Sequence, residues 1–273
     1  METIFIVIFF SLIGGVFSLI GGFLLLANKR KAEKLLKYVT PFAAGALLAA
    51  AFTDVLPEAA HEGNIEQALR WTLVGILVFF LLERFVRWFH HHHSHGAEEK
   101  DATVPLIIIG DTIHNFIDGI AIAAAFLIDV PTGIVVTLAV AAHEIPQEIG
   151  DFGLLLDKGM SRLNVIKVNV VSALATTLAA VTFYVFGEWM NIPLGILLGL
   201  VAGFFIYIAV SDIIPSIHKS EGKKLAGAQT IMLIVGAILV SVVTTSLHGI
   251  IEASGEQQDA HSEHESHSET HED

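Results

Sequence analysis

Apolar runs about as long as a bilayer is thick follow one another along the chain, with short polar breaks between them. A helix needs roughly 20 mostly apolar residues to cross a hydrocarbon core about 30 Å thick. Eight segments reach that length: 4–27, 41–61, 69–89, 103–128, 132–156, 164–187, 191–217 and 226–250. The pattern predicts an all-α, polytopic membrane protein with eight transmembrane helices inside a domain covering residues 1–254. The first run is too long, and its Met1-Glu2-Thr3 start too poor in basic residues, for a cleaved signal peptide, so it reads as a retained helix. Two polar tracts interrupt the pattern: HHHHSHGAEEKD after the third span, in a loop over about 90–102, and a tail over 255–273 reading GEQQDAHSEHESHSETHED. Neither holds enough apolar residues to bury a core, so both are expected to be disordered; spaced His among carboxylates also suits weak capture of divalent metal.

The polar breaks are sorted by charge. The loops joining spans 1–2, 3–4, 5–6 and 7–8, counted with the flanking span ends, hold every Lys and Arg of the chain's 15 except Arg70. The positive-inside rule puts those loops in the cytoplasm and both termini outside. An even number of spans requires both termini on one side, which agrees. The expected location is the cell membrane, with the lipid bilayer as the solvent of the protein's outer faces.

Composition supports the same class: 53% of the 273 residues are hydrophobic and 16% charged, and the mean hydropathy is +0.67. The formal charge of −13 argues against nucleic acid as a partner, and the absence of Cys removes disulfides and thiolate metal sites.

Against this background the polar residues inside spans 4 and 5 stand out. A carboxylate at mid-bilayer costs at least ~2.5 kcal/mol on insertion scales unless it is paired or bound to a cation. His114 and His143 each lie eleven residues into their spans, roughly 16 Å at 1.5 Å per residue, and so near the midplane. Asp111, His114 and Asp118 share one face of span 4. His143 and Gln147 are one turn apart on span 5, as are Glu144 and Glu148, with Asp151 extending the second row. A lone buried His is more often a hydrogen-bonded core residue than a ligand. Five ionisable residues on two neighbouring helices at one depth point instead to a functional site. Neutral imidazole with carboxylate suits Zn²⁺ first, then Fe²⁺, Mn²⁺ or Cd²⁺. Pro146 removes a backbone donor and clashes with the Ala142 carbonyl, so span 5 is expected to kink or unwind beside the site.

A second signal is an internal echo. GALLAAAFTDVLP in span 2 and GFFIYIAVSDIIP in span 7 align Gly45 with Gly203, Thr53 with Ser211, Asp54 with Asp212 and Pro57 with Pro215. The two spans run in opposite directions, so the copies form an inverted repeat, as in transporters whose substrate site lies between the halves. The pathway residues expected from it are Asp54, with Glu58 and His61 on successive turns, at the outer end, and Asp212 and His218 at the inner end.

With HNFIDGIAIA in span 4, HEIPQEIGDF in span 5, eight spans, outside termini and a His-rich loop after span 3, the chain resembles the Zrt/Irt-like (ZIP) family of divalent-metal transporters over essentially its full length. The resemblance implies a 3+2+3 helix arrangement, movement of metal toward the cytoplasm and a midplane site, binuclear in some members. Carried across, His114, Asp118, His143 and Gln147 frame one metal position, and Asn115, Asp118, Glu144 and Gln147 its neighbour. Two departures bear on the second position. Gln147 stands where many relatives carry His or Glu, and Thr176 stands where some binuclear members carry a Glu, with Glu148 as a compensating ligand on the cytoplasmic side. The expected cargo is zinc, the expected assembly a homodimer. Two rival readings fit the residues less well. An intramembrane zinc-dependent metalloenzyme wants HExxH, whereas HEIPQ ends in Gln147 and contains a proline, so no enzymatic activity is expected. A cation-diffusion exporter has six spans and no helix like HEIPQE.

Overall fold

A computed structural model describes the backbone of residues 2–92, 99–187, 193–218 and 223–268. It is helical in every span. Span 1 is α1 (Glu2–Gly14) and α2 (Ile20–Ala27), joined through a 3₁₀ turn at Val16–Leu19. Span 2 is α3 (Lys29–Ala50), a π-helical turn at Ala51–Val55 and α4 (Leu56–His61). Spans 3 to 6 are single helices: α5 (Ile65–His92), α6 (Glu99–Ile128), α7 (Val130–Asp157) and α8 (Arg162–Gly187). Span 7 repeats the pattern of span 2 with α9 (Leu194–Tyr207), a π-helical turn at Ile208–Ile213 and α10 (Ile214–His218), and span 8 is α11 (Lys223–Ser268). Among the described residues, seven of the spans are apolar enough along their length to cross a membrane by composition alone. The other is α7, long enough at 28 residues but carrying the polar turns from His143 to Asp151.

Three expectations change. The basic stretch Lys29–Lys37 is the start of α3 rather than loop. Its residues are good helix formers, and the Asn28 side chain caps the helix by accepting from the Lys31 N–H at 3.0 Å. Span 5 does not unwind at Pro146: α7 is continuous through it, because a single missing donor is tolerated in a helix that packs against its neighbours. The tail is helical as far as Ser268. Span 8 supplies the nucleus, and Glu, Gln and Ala after Gly255 propagate it. The side chains of the His-rich loop, of the tail, and of Asp212 and His218 lie outside the described residues.

The inverted repeat is visible in the backbone. The Leu56 N–H bonds back to the Ala51 carbonyl, and the Ile214 N–H to the Ala209 carbonyl. These i→i−5 bonds sit at matching positions, each just before a proline, Pro57 or Pro215. Packing repeats as well. Gly45 presses on the Leu233 carbonyl and Gly236 on the Phe42 carbonyl, so closely that a Cβ on either would collide. Gly203 meets the Thr72 carbonyl and Gly75 the Leu200 carbonyl in the same way. Phe42 and Gly45 correspond to Leu200 and Gly203, while Thr72 and Gly75 correspond to Leu233 and Gly236. Spans 2 and 8 thus pack as spans 7 and 3 do. Spans 4 and 6, and 5 and 1, also pair, so exchanging the first three spans with the last three, and 4 with 5, preserves the arrangement. Small residues make this possible: apolar side chains gain little from one another in lipid, and close backbone approach supplies the attraction instead.

Candidate metal site

α6 and α7 meet through their polar faces. His114 Nε2 lies 3.2 Å from His143 Nε2, 3.5 Å from Glu144 Oε1 and 3.8 Å from Asp118 Oδ2. His143 Nε2 lies 3.2 Å from Asp118 Oδ2 and 3.7 Å from Glu144 Oε1. One ligand atom from each of the four residues falls within 4.8 Å of every other. A tetrahedral shell with Zn–N and Zn–O bonds of 2.0–2.1 Å has edges of about 3.3–3.4 Å. Four separate side chains therefore outline a space of the right size for one such ion.

The surroundings hold these groups in place. His143 Nδ1 is 3.1 Å from the Ala139 carbonyl one turn back, which fixes the ring and turns Nε2 toward the cluster. Phe79 of span 3 stands edge-on to His114, with ring centroids 5.7 Å apart, and Phe205 of span 7 does the same to His143 at 6.4 Å. The side chains of Asp118, His143 and Glu144 are 4% exposed or less, and that of His114 is 16% exposed. Neither oxygen of Glu144 has a hydrogen-bond partner among the described residues, and Oδ2 of Asp118 faces His143 Nε2 at 3.2 Å. Buried carboxylate oxygens without donors are costly, and a cation is the partner their geometry suits.

The remaining expected residues divide into groups. Asn115 is fully buried and bound into the helix contacts: its amide nitrogen donates to the Asp111 carboxylate at 3.0 Å and to Ser172 at 3.4 Å. Its oxygen accepts from Thr176 at 2.8 Å. It ties α6 to α8. Thr176, at the position where the resemblance suggested a missing ligand, is thus a hydrogen-bond partner of Asn115. Gln147 is half-buried and turned toward Asp111. Glu148 is fully buried, and neither of its oxygens has a hydrogen-bond partner among the described residues; Asp111 and Asp151 are its charged neighbours. Asp111, His114, His143, Gln147 and Asp151 all line one cavity of about 440 Å³. That cavity extends to Leu36, Thr40 and Glu83, beside Lys37 and Arg84, on the Lys/Arg-rich side of the protein. In the other direction α6 and α7 close up: Ile122, Ala123, Ala124, Val135, Val136 and Ala139 are all fully buried.

Beyond that closed region lie Asp54, buried in the π-helical turn, and Glu58, whose side chain is 25% exposed. His61 is exposed. Two residues that the sequence reading passed over join them. His248 Nε2 of α11 is 4.0 Å from Asp54 Oδ1, 3.9 Å from Glu58 Oε1 and 3.9 Å from Asp129 Oδ2. A signal was available for His248, the one ionisable residue between Leu225 and Gly249.

With this geometry established, comparison with known proteins adds the following. The chain matches the family model described as ZIP Zinc transporter over residues 2–105 and 90–244. It is 31% identical over 224 residues to zinc transporter ZIP13 of Pongo abelii, which covers 75% of this chain and 66% of that protein. It is 36% identical over 146 residues to zinc transporter foi of Drosophila melanogaster, covering 52% of this chain and 20% of that protein. It is 35% identical over 154 residues to zinc transporter ZIP10 of Homo sapiens, covering 52% of this chain and 18% of that protein. The chain spans somewhat less than two thirds of the first relative's length and about a fifth of the other two.

Proposed function

The chain belongs to the ZIP zinc transporter family, and from that premise we propose that it carries zinc into the cytoplasm by alternating access, through a site made by His114, Asp118, His143 and Glu144. The observation that supports this best is the set of 3.2–3.8 Å spacings among four buried ligand atoms, which suit a Zn²⁺ shell. Charge supports it too. Two neutral imidazoles and two carboxylates around a divalent cation sum to zero, the arrangement that a low-dielectric site tolerates best. A monovalent ion would leave the site anionic. Fe²⁺, Mn²⁺ and Cd²⁺ follow zinc as cargo on the same ligand chemistry.

Each further residue then has a role. Asn115 positions Asp111 and, through Thr176, the packing of α6 on α8. Gln147, Asp111 and Asp151 form the next step for the ion, along the cavity that extends to the basic side, with Glu148 buried beside Asp111 and Asp151. Asp54 and Glu58 lie on the outer side of the pathway, and the repeat gives Asp212 and His218 the inner one. Direction follows from the basic residues at the cavity's far end, which mark the cytoplasmic face. The protein acts as a carrier rather than as an enzyme.

The test is zinc uptake into proteoliposomes by the full chain and by Asp118→Ala and His143→Ala. Uptake by the parent chain and its loss in both variants is expected, with both still inserting normally. Uptake at the parent rate in either variant would count against the site.

A further inference from the structure

We propose that Asp54, Glu58, Asp129 and His248 form a second divalent-cation site, a capture station at the outer mouth of the pathway. It rests on reading the chain as a metal transporter, but the site is defined by its own geometry. Three separate segments converge on it: span 2 brings Asp54 from its π-helical turn and Glu58 from α4 one turn later, the start of α7 brings Asp129 and the end of span 8 brings His248. Three carboxylate oxygens surround one imidazole nitrogen at 3.9–4.0 Å.

Several features distinguish this group from a chance acidic patch. The Asp54 side chain is 0% exposed, and neither of its oxygens has a hydrogen-bond partner among the described residues, though Oδ1 faces His248. A carboxylate placed there without a donor is the costly arrangement that a cation relieves. His248 is oriented as His143 is: Nδ1 lies 3.0 Å from the carbonyl of Thr244 one turn back, which leaves Nε2 facing the carboxylates with its lone pair available. Asp129 divides its two oxygens. Oδ1 caps α7 by accepting from the Thr132 N–H at 2.7 Å, and Oδ2 faces His248.

The geometry suits capture rather than tight storage. For bonds of 2.0–2.1 Å the edges of a tetrahedral shell are about 3.3–3.4 Å, so each ligand must close by roughly half an ångström. Partial exposure of Glu58, His248 and Asp129, at 25%, 30% and 38%, leaves a route in from solvent. Three carboxylates and one imidazole leave a divalent complex with an excess negative charge, which attracts cations without the neutral fit of the central site. Asp129 and His143 are fourteen residues apart on α7, about 21 Å, with the closed stretch of Ala124, Val135 and Val136 between them. An ion held at the outer quartet therefore waits on the far side of the plug from the central site.

The chain contains no cysteine, so His248→Cys carries a unique thiol, and Cd²⁺ binds thiolate strongly. In the purified full-length protein, Cd²⁺ at ten times its apparent dissociation constant should slow maleimide labelling of that thiol roughly tenfold. Adding Asp54→Asn and Glu58→Gln should remove the protection. Glu58→Cys offers a second unique thiol at the same site if the first variant does not assemble. Labelling indifferent to Cd²⁺, or protection that survives neutralising the carboxylates, would overturn the proposal. A parallel uptake measurement separates capture from a mere ionic latch. His248→Lys keeps a cation among the carboxylates but cannot ligate zinc, so it should raise the half-saturating zinc concentration severalfold, as His248→Ala does. Restoration of the parent value by His248→Lys would mean a latch and sink the site. If the parent chain moved no zinc at all, the transport reading would fail, while the labelling result would still decide whether the outer site binds metal.

Discussion

His114 and His143 present their Nε2 atoms to each other at 3.2 Å, a spacing at which both cannot carry a proton comfortably and one metal ion satisfies both. Metal binds only neutral imidazole and ionised carboxylate, so protons compete for every ligand. The sign follows directly: occupancy is full where the ligands are unprotonated and is lost as pH falls. Zinc affinity at the central site should therefore drop on acidification from about pH 8 to about pH 5, the range in which His ordinarily titrates. Titration calorimetry in two buffers of different ionisation enthalpy checks it, with His143→Ala run beside the parent so that the difference isolates the central site; binding should also release protons, and a pH-independent difference would contradict it. Gln147 takes no part in that competition. It lines the cavity one turn from His143, so Gln147→Glu should shift preference toward Mn²⁺ and Gln147→His toward Zn²⁺. Metal competition on the purified variants decides this, and an unchanged preference in both would place Gln147 away from the ion. The sequence made His114, Asp118, His143 and Glu144 legible because ionisable residues in apolar helices are so conspicuous. What it hid was pairing across elements. The binding of Asn115 to Thr176, and the meeting of Asp129 with His248, depend on contacts between segments that no local pattern encodes.

At the scale of elements, hydrophobic run length located a helix at each of the eight expected spans, seven of them apolar enough to cross a membrane by composition, since that property is local and a bilayer imposes it. Ends were less legible: the basic first turns of α3 look like loop until Asn28 is seen to cap them. Proline was misleading in a useful way. Pro146 stands at the most polar stretch, yet α7 continues through it, while the irregular turns fall before Pro57 and Pro215. A π-helical turn is made by i→i−5 bonds, here from Leu56 to Ala51 and from Ile214 to Ala209. The glycine contacts that set this packing give a direct prediction. Gly203→Val places side-chain atoms against the Thr72 carbonyl, where even a Cβ would collide, and should destabilise the bundle by about 1–3 kcal/mol, as overpacking does. Gly45→Val, its counterpart in the repeat, should behave alike. Gly227→Ala, where a Cβ would meet nothing within 4 Å, should be neutral or slightly stabilising. Thermal unfolding of the purified proteins compares them, and tolerance of Gly203→Val would show that the helices do not approach as described.

For the molecule as a whole, the arrangement is directional. One cavity runs from the His114–His143 pair toward the Lys/Arg-rich face, and the opposite side is closed by buried alanine and valine between the central and outer clusters. On the alternating-access reading proposed above, this corresponds to the state with the site open toward the cytoplasm, and exchanging the roles of spans 1–3 and 6–8 would give the other state. The central claim is that His114, Asp118, His143 and Glu144 hold the zinc that the protein carries. A crystal structure of the full chain with zinc, phased on anomalous scattering at the zinc edge, tests it most directly. It resolves this site from zinc bound by the His-rich loop or tail, which solution measurements merge. The account predicts a peak between α6 and α7, with Nε2 of both histidines and one oxygen each from Asp118 and Glu144 at about 2.0–2.2 Å. Zinc bound only elsewhere, with these four side chains left without it, would contradict it.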